Sequence, residues 1–228
     1  MPPPPMFFNP FGLWIEIVYA LIVVLSCFFI YFKTRELYEL TSHKGIKYFR
    51  NTFLFFGMAY LIRFVMNLIH SLRIDHRLFE PFGFGIFEGA LFVMAYLSSM
   101  ALIYLIYSIA WKEVGGFLKN KSYLLHLLAI IIALFSMTER GPFIFLGFQS
   151  LLFILLAVIG YISYRKDKKK KHSNIYLLYL LIFALWIVTN IMSFVVLFSP
   201  IIGLTIYAVS VIVFIATLLK VILKLKVR

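Results

Sequence analysis

The sequence predicts an all-α membrane protein, a bundle of seven transmembrane helices with the N-terminus outside and the C-terminus in the cytoplasm. Three observations point there. Hydrophobic residues make up 63% of the 228 and charged residues only 14%, whereas soluble domains are about half apolar and about a quarter charged. The apolar residues come in long runs, as in a chain that faces lipid. Lysines and arginines gather in alternate gaps between those runs.

The uncharged N-terminal stretch, residues 1–11, with its Pro2-Pro3-Pro4-Pro5 run, reads as a short extended extracytoplasmic arm. Residues 12–223 form the transmembrane domain. Its helices are expected over Gly12 to Phe32, Thr52 to Leu72, Phe82 to Trp111, Tyr123 to Met137, Phe143 to Tyr164, Ile175 to Leu197 and Ile201 to Leu223. About 20 residues are needed to cross the hydrocarbon, so the fourth is at the short limit and the third is long. Residues 224–228 form a cytoplasmic basic tail. The first run has no positive residue before it and no small-residue cleavage pattern after it, which argues for an anchor over a cleaved signal peptide.

Orientation follows from the gaps. One side holds Lys33, Arg35, Lys44, Lys47 and Arg50, then Lys112, Lys119 and Lys121, the run Arg165 to Lys171, and the basic tail. The other holds only Arg73, Arg77 and Arg140. The positive-inside rule puts the richer side in the cytoplasm. Pro10, Pro81, Pro142 and Pro200 each fall at or just before a helix start, where the first N–H groups have no helical acceptor in any case.

Polar residues within the spans gather toward the outer side. Glu16, Arg63 and Glu88 lie an estimated 6–14 Å from that boundary at ~1.5 Å per residue, which suggests an ion pair or triad. Tyr60, Arg63, Asn67 and His70 share one face of helix two. Gln149 and Asn190 lie at comparable depth. Two readings stand side by side. In one, Arg63 locks to Glu16 or Glu88 and the amides cross-link helices. In the other, the layer is an outward-facing pocket for a polar ligand. Gly85 and Gly89 frame Glu88 in a spacing that permits close helix approach.

The run Arg165, Lys166, Lys168, Lys169, Lys170 and Lys171 is read as orientation plus contact with anionic lipid headgroups, with docking of an acidic cytoplasmic partner as the alternative. Lys44, Lys47 and Arg50, with Tyr48 and Phe49, read as an interfacial anchor. The net charge of +13 is placed by topology, and no nucleic-acid partner is expected. Cys27 is the only cysteine, which excludes a disulfide framework and a thiolate metal site.

Catalysis is not expected. The histidines divide between the outer side (His70, His76) and the inner side (His43, His126, His172), so no zinc or bis-histidine haem site converges. Lys220 is the only candidate for a retinal Schiff base, and it sits at the inner end of helix seven. No nucleophile elbow or phosphate-binding glycine loop occurs in a usable context. No cofactor, metal or catalytic residue is assigned.

The stretch Lys33-Thr34-Arg35-Glu36-Leu37-Tyr38, then Gly45-Ile46-Lys47-Tyr48-Phe49-Arg50, then Tyr60-Leu61-Ile62-Arg63-Phe64, resembles the beginning of uncharacterised microbial, including archaeal, seven-helix membrane proteins. It is distantly similar to the seven-helix sensor region that precedes some microbial histidine kinases. That resemblance implies a receptor-like or sensor-like protein, here expected to lack its own output domain and to need a separate signalling partner. The alternatives are a small-solute transporter or channel with a 3+1+3 helix arrangement, and a non-catalytic assembly scaffold. The expected location is a membrane, the cell membrane in a prokaryote.

Overall fold

A computed structural model describes residues 10–71, 85–114, 122–138, 141–166, 173–194 and 200–226. The described residues form seven helices: α1 (Pro10–Thr41), α2 (Lys44–Ser71), α3 (Ile86–Val114), α4 (Ser122–Phe135), α5 (Gly141–Lys166), α6 (Ser173–Phe194) and α7 (Pro200–Lys226). Pro10 and Pro200 open their helices and Pro142 is the second residue of α5, as their missing N–H groups favour. Pro81, residues 1–9 of the N-terminal arm and residues 168–171 lie outside the described residues, and the last two residues of that arm already belong to α1.

Four helices are long and apolar enough to cross a membrane, over Ile17–Leu40, Glu88–Ala110, Phe143–Ile162 and Ile202–Leu223. This supports a membrane protein. Tyr123–Phe135 and Leu180–Ile191 are shorter apolar stretches. Helix α4 has 14 residues, about 21 Å of length at 1.5 Å each, against a hydrocarbon core of about 30 Å. It closes in a turn in which the N–H of Ser136 donates to Ile132 and Ala133, both at 3.1 Å.

One expected loop does not exist. Lys33 to Asn51, read as a basic connection, is helical except at Ser42 and His43. Its charged residues are good helix formers, and they pair along α1: Lys33 Nζ is 3.5 Å from Glu36 and Arg35 Nε donates to Glu39 at 2.7 Å. Helix α1 ends where Ser42 takes a positive φ of 49°, and the Ser42 N–H still reaches the Tyr38 carbonyl at 2.8 Å. The His43 carbonyl then accepts from Ile46 and Lys47 to open α2. The apolar runs stop at Phe32 and resume at Thr52, whereas the helices continue past both points.

Packing closes a ring in the order α1, α2, α3, α5, α6, α7 and back to α1, with α4 outside it against α3 and α5. Cross-contacts set the directions. Gln149 near the start of α5 meets Ser98 in the first half of α3, Tyr19 near the start of α1 meets Tyr207 near that of α7, and Arg63 late in α2 meets Thr189 late in α6. Helices α1, α3, α5 and α7 therefore run one way, and α2 and α6 the other. The middle of the ring is filled by aromatic side chains: Phe56 of α2 lies 4.8 Å from Phe183, 5.3 Å from Trp186 and 6.0 Å from Phe214, ring centroid to centroid.

The outside of the ring is apolar. Trp14, Val18, Leu21, Leu25, Phe29 and Phe32 are exposed along one stripe of α1 at three- and four-residue spacing. Leu151, Ile154, Leu155 and Val158 do the same on α5, and Ile212, Ile215, Leu219 and Leu223 on α7. Water would penalise such belts, and lipid would not.

The expected small-residue approach falls elsewhere. A Cβ added at Gly85 or Gly89 meets nothing within 4 Å among the described residues. At Gly57 it would stand 2.9 Å from Cys27 Cβ, so the close helix contact is between α1 and α2.

Candidate functional site

The polar layer assembles inside the ring. Counted along each helix axis, Tyr19, Arg63, Gln149, Trp186 and Ser210 all stand about 12–15 Å from the end opposite the Ser42–His43 turn. Every one is buried, although the ring's outer surface is apolar.

Arg63 is the chemical centre. Only 6% of it is exposed, and its Nη2 donates to the Thr189 carbonyl of α6 across a long 3.4 Å. Beside it, one turn back on α2, the fully buried Tyr60 shares a 2.7 Å hydrogen bond with Tyr19 of α1. Trp186 crosses the Tyr60 ring edge-on at 4.7 Å, and Tyr207 of α7 lies 4.8 Å from Tyr19. The Thr189 and Asn190 side chains both turn back to the Trp186 carbonyl, at 2.9 and 2.7 Å. Asn190 thus satisfies its own helix and bridges no neighbour through that bond.

Gln149 makes the second cluster. Its Nε2 donates to Ser98 and Ser99 of α3, each at 3.0 Å, and so ties α5 to α3. Its Oε1 is buried without a hydrogen-bond partner, as is the indole Nε1 of Trp186. An unmatched acceptor and an unmatched donor in an apolar bundle each carry a desolvation cost of about 1–3 kcal/mol.

One sequence-derived member behaves differently. Glu88 is the third residue of α3, exposed, and among the described residues it joins no ion pair or hydrogen bond. It therefore takes no part, among the described residues, in the expected ion pair or triad. The helix starts at Ile86, later than expected, so Glu88 sits in the first turn, where the N–H groups favour a carboxylate. The side chains of Glu16, Asn67 and His70 lie outside the described residues. Of the basic run, Arg165 is exposed with its guanidinium 5.4 Å over Tyr161, a geometry suited to an interface, and the side chain of Lys166 lies outside the described residues.

Tyr19, Thr189, Trp186 and the two serines were missed by sequence reasoning. The Ser98-Ser99 doublet is the signal that could have been used, because adjacent hydroxyls in an apolar run ask for acceptors. Tyr19 and Trp186 carry no such mark, since an aromatic in a span reads equally well as lipid-facing. No group of three or more metal-ligating side chains converges among the described residues.

An uncharacterised protein of Archaeoglobus fulgidus is 34% identical to this chain over 186 residues, which covers 78% of this chain and 79% of that protein. No family model matches the chain, and no solved structure matches it.

Proposed function

The chain belongs to one family with that Archaeoglobus protein, and from this premise and the geometry of the layer we propose a receptor-like protein of seven crossings, N-terminus outside. It binds a polar ligand at the Tyr19–Tyr60–Arg63 layer from the outer side and relays the event through its basic cytoplasmic ends, without catalysis of its own. The observation that carries this reading is the buried Arg63. A buried arginine within a membrane helix costs up to about 2.5–3.5 kcal/mol on insertion scales and is a functional-site candidate by default. A ligand with an anionic or carbonyl oxygen would match the donors of its guanidinium fork. The surrounding rings of Tyr19, Tyr60, Trp186 and Tyr207 offer an amphipathic wall suited to a small molecule.

Cysteine accessibility tests it. In a Cys27→Ser background, Asn67→Cys, Gln149→Cys and Asn190→Cys are exposed singly, in intact cells, to a membrane-impermeant thiol reagent. Gln149 and Asn190 are 1% and 3% exposed, so labelling requires the layer to open outward. Labelling at all three positions is expected. Its absence in a stable, inserted protein would leave a dry structural network and end the receptor reading.

Ring closure favours a second reading. Helices α1–α3 and α5–α7 form two consecutive triplets that meet at α3–α5 and α1–α7, with α4 outside. This matches a 3+1+3 small-solute transporter. Solute uptake into proteoliposomes separates the two, since a receptor moves none.

A further inference from the structure

At the opposite end of the bundle, the α1–α2 hairpin holds a second arginine in a different setting. Arg50 of α2 lies against Tyr31 and Tyr38 of α1, residues seven apart and so on one face of that helix, with Thr34 between them in sequence. Its guanidinium carbon is 5.1 Å from the Tyr31 ring centroid and 5.5 Å from that of Tyr38. The two rings orient the guanidinium by cation–π attraction and leave its charge intact.

Neighbouring groups do not neutralise it. The two carboxylates on this stretch of α1 are engaged, Glu36 with Lys33 and Glu39 with Arg35. Thr34 spends its hydroxyl on the Ile30 carbonyl at 2.7 Å and the Tyr31 carbonyl at 3.1 Å. Arg50 Nε is buried with no hydrogen-bond partner, and the residue as a whole is only half-buried, so the rest of its fork keeps a way out. Among the described residues Arg50 has no carboxylate and no acceptor. One turn earlier on the same face stands the exposed Lys47.

The depth of the site narrows the ligand. Arg50 is six residues into α2, about 9 Å from the hairpin turn, and the apolar part of that helix begins two residues later at Thr52. It is therefore placed where phospholipid headgroups would lie if the apolar belts face lipid. A planar fork of N–H donors matches the oxygens of a phosphate in pairs, which a lone ammonium does not.

We propose that Arg50, clamped between Tyr31 and Tyr38 with Lys47 one turn away, is a phosphate-binding site that takes the phosphate of an anionic lipid headgroup. It is separate from the outer layer and stands whether or not that layer binds a ligand. A bound headgroup would pin the α1–α2 hairpin to the membrane surface at a defined rotation.

The test uses the full-length protein purified in mild detergent, with retention of phosphatidylglycerol counted by native mass spectrometry and helicity checked by circular dichroism. Arg50→Gln is expected to weaken phosphatidylglycerol binding about tenfold, and Arg50→Lys nearly as much because the fork is lost. Arg165→Gln, at another helix end, should leave this site's occupancy unchanged. Oleate, an anionic lipid without phosphate, should compete poorly. Competition by inorganic phosphate alone, lost in Arg50→Lys, would keep the site and assign it a soluble phosphate. Should Arg50→Gln fail to insert, Arg50→Lys carries the comparison, since it retains charge and stem. Undiminished phosphatidylglycerol binding in folded Arg50→Lys, or equal binding of oleate, would overturn the proposal.

Discussion

Placing alanine at Gly57 probes the tight approach of α1 and α2 with a single methyl group. The added Cβ would meet Cys27 Cβ at 2.9 Å, well inside the ordinary contact distance of about 3.5–4.0 Å between carbons. The obstacle is the root of a side chain, so no rotamer change relieves it, and the two helices must separate by several tenths of an ångström. Overpacking of this kind costs about 1–3 kcal/mol. Alanine also gains about 1 kcal/mol of helix propensity over glycine, so the single variant mixes two opposing effects. A double-mutant cycle removes the mixture. Combined with Cys27→Gly, which deletes the opposing carbon, Gly57→Ala should recover the steric part as a coupling of about 1–3 kcal/mol, because the propensity contributions cancel. Combined with Cys27→Ala, which keeps that carbon, the coupling should stay below about 0.5 kcal/mol. Equilibrium unfolding by sodium dodecyl sulfate in mixed micelles, followed by far-ultraviolet circular dichroism, measures every corner of both cycles. Equal coupling with Cys27→Gly and Cys27→Ala would refute the steric account, and no coupling in either would mean that α1 and α2 are not this close.

Other perturbations read the polar interior. Tyr60→Phe breaks the 2.7 Å bond to Tyr19 and should cost about 0.6–1.5 kcal/mol in the same unfolding assay, with Tyr19→Phe adding little because the bond is already gone. Gln149→Leu should fall within about 1 kcal/mol of neutral, since it removes the buried unpartnered Oε1 along with the two serine contacts, whereas Gln149→Ala leaves a cavity and should cost about 2 kcal/mol or more. Tyr96→Phe removes the 2.8 Å bond from α3 to His126 of α4; hydrogen exchange should quicken in α4 and stay unchanged in α2, and equal acceleration in both would show that α4 is not held separately. Arg63→Leu should insert normally yet lose any ligand response, and loss of insertion would mark Arg63 as structural.

The charge pattern that located the basic gaps also concealed the hairpin. Lys33, Arg35, Lys44, Lys47 and Arg50 mark the edge of the apolar runs correctly, but a helix has no reason to stop where lipid stops, and its ion pairs favour continuation. Similarly, the spacing of Tyr60 and Arg63 shows that they share a face, and the structure buries both. Their partners Tyr19 and Thr189 lie 41 and 126 residues away, and local pattern carries no record of such separations. Glu88 illustrates the reverse error. Its depth was estimated from where apolarity begins, whereas the helix that holds it begins later, at Ile86.

Composition and hydropathy by themselves determined that the chain is helical and suited to a membrane, because burying a backbone in lipid demands internally bonded helices and an apolar exterior. They also determined where polar side chains are scarce enough to be informative. Only the tertiary structure decided which helices neighbour one another, that α4 stands outside the ring, that Gly57 and not Gly85 or Gly89 makes the close approach, and that Arg50 lies between Tyr31 and Tyr38. The reason is physical: hydrophobicity is non-directional and legible along the chain, while hydrogen bonds, ring contacts and steric fit depend on which distant faces are brought together.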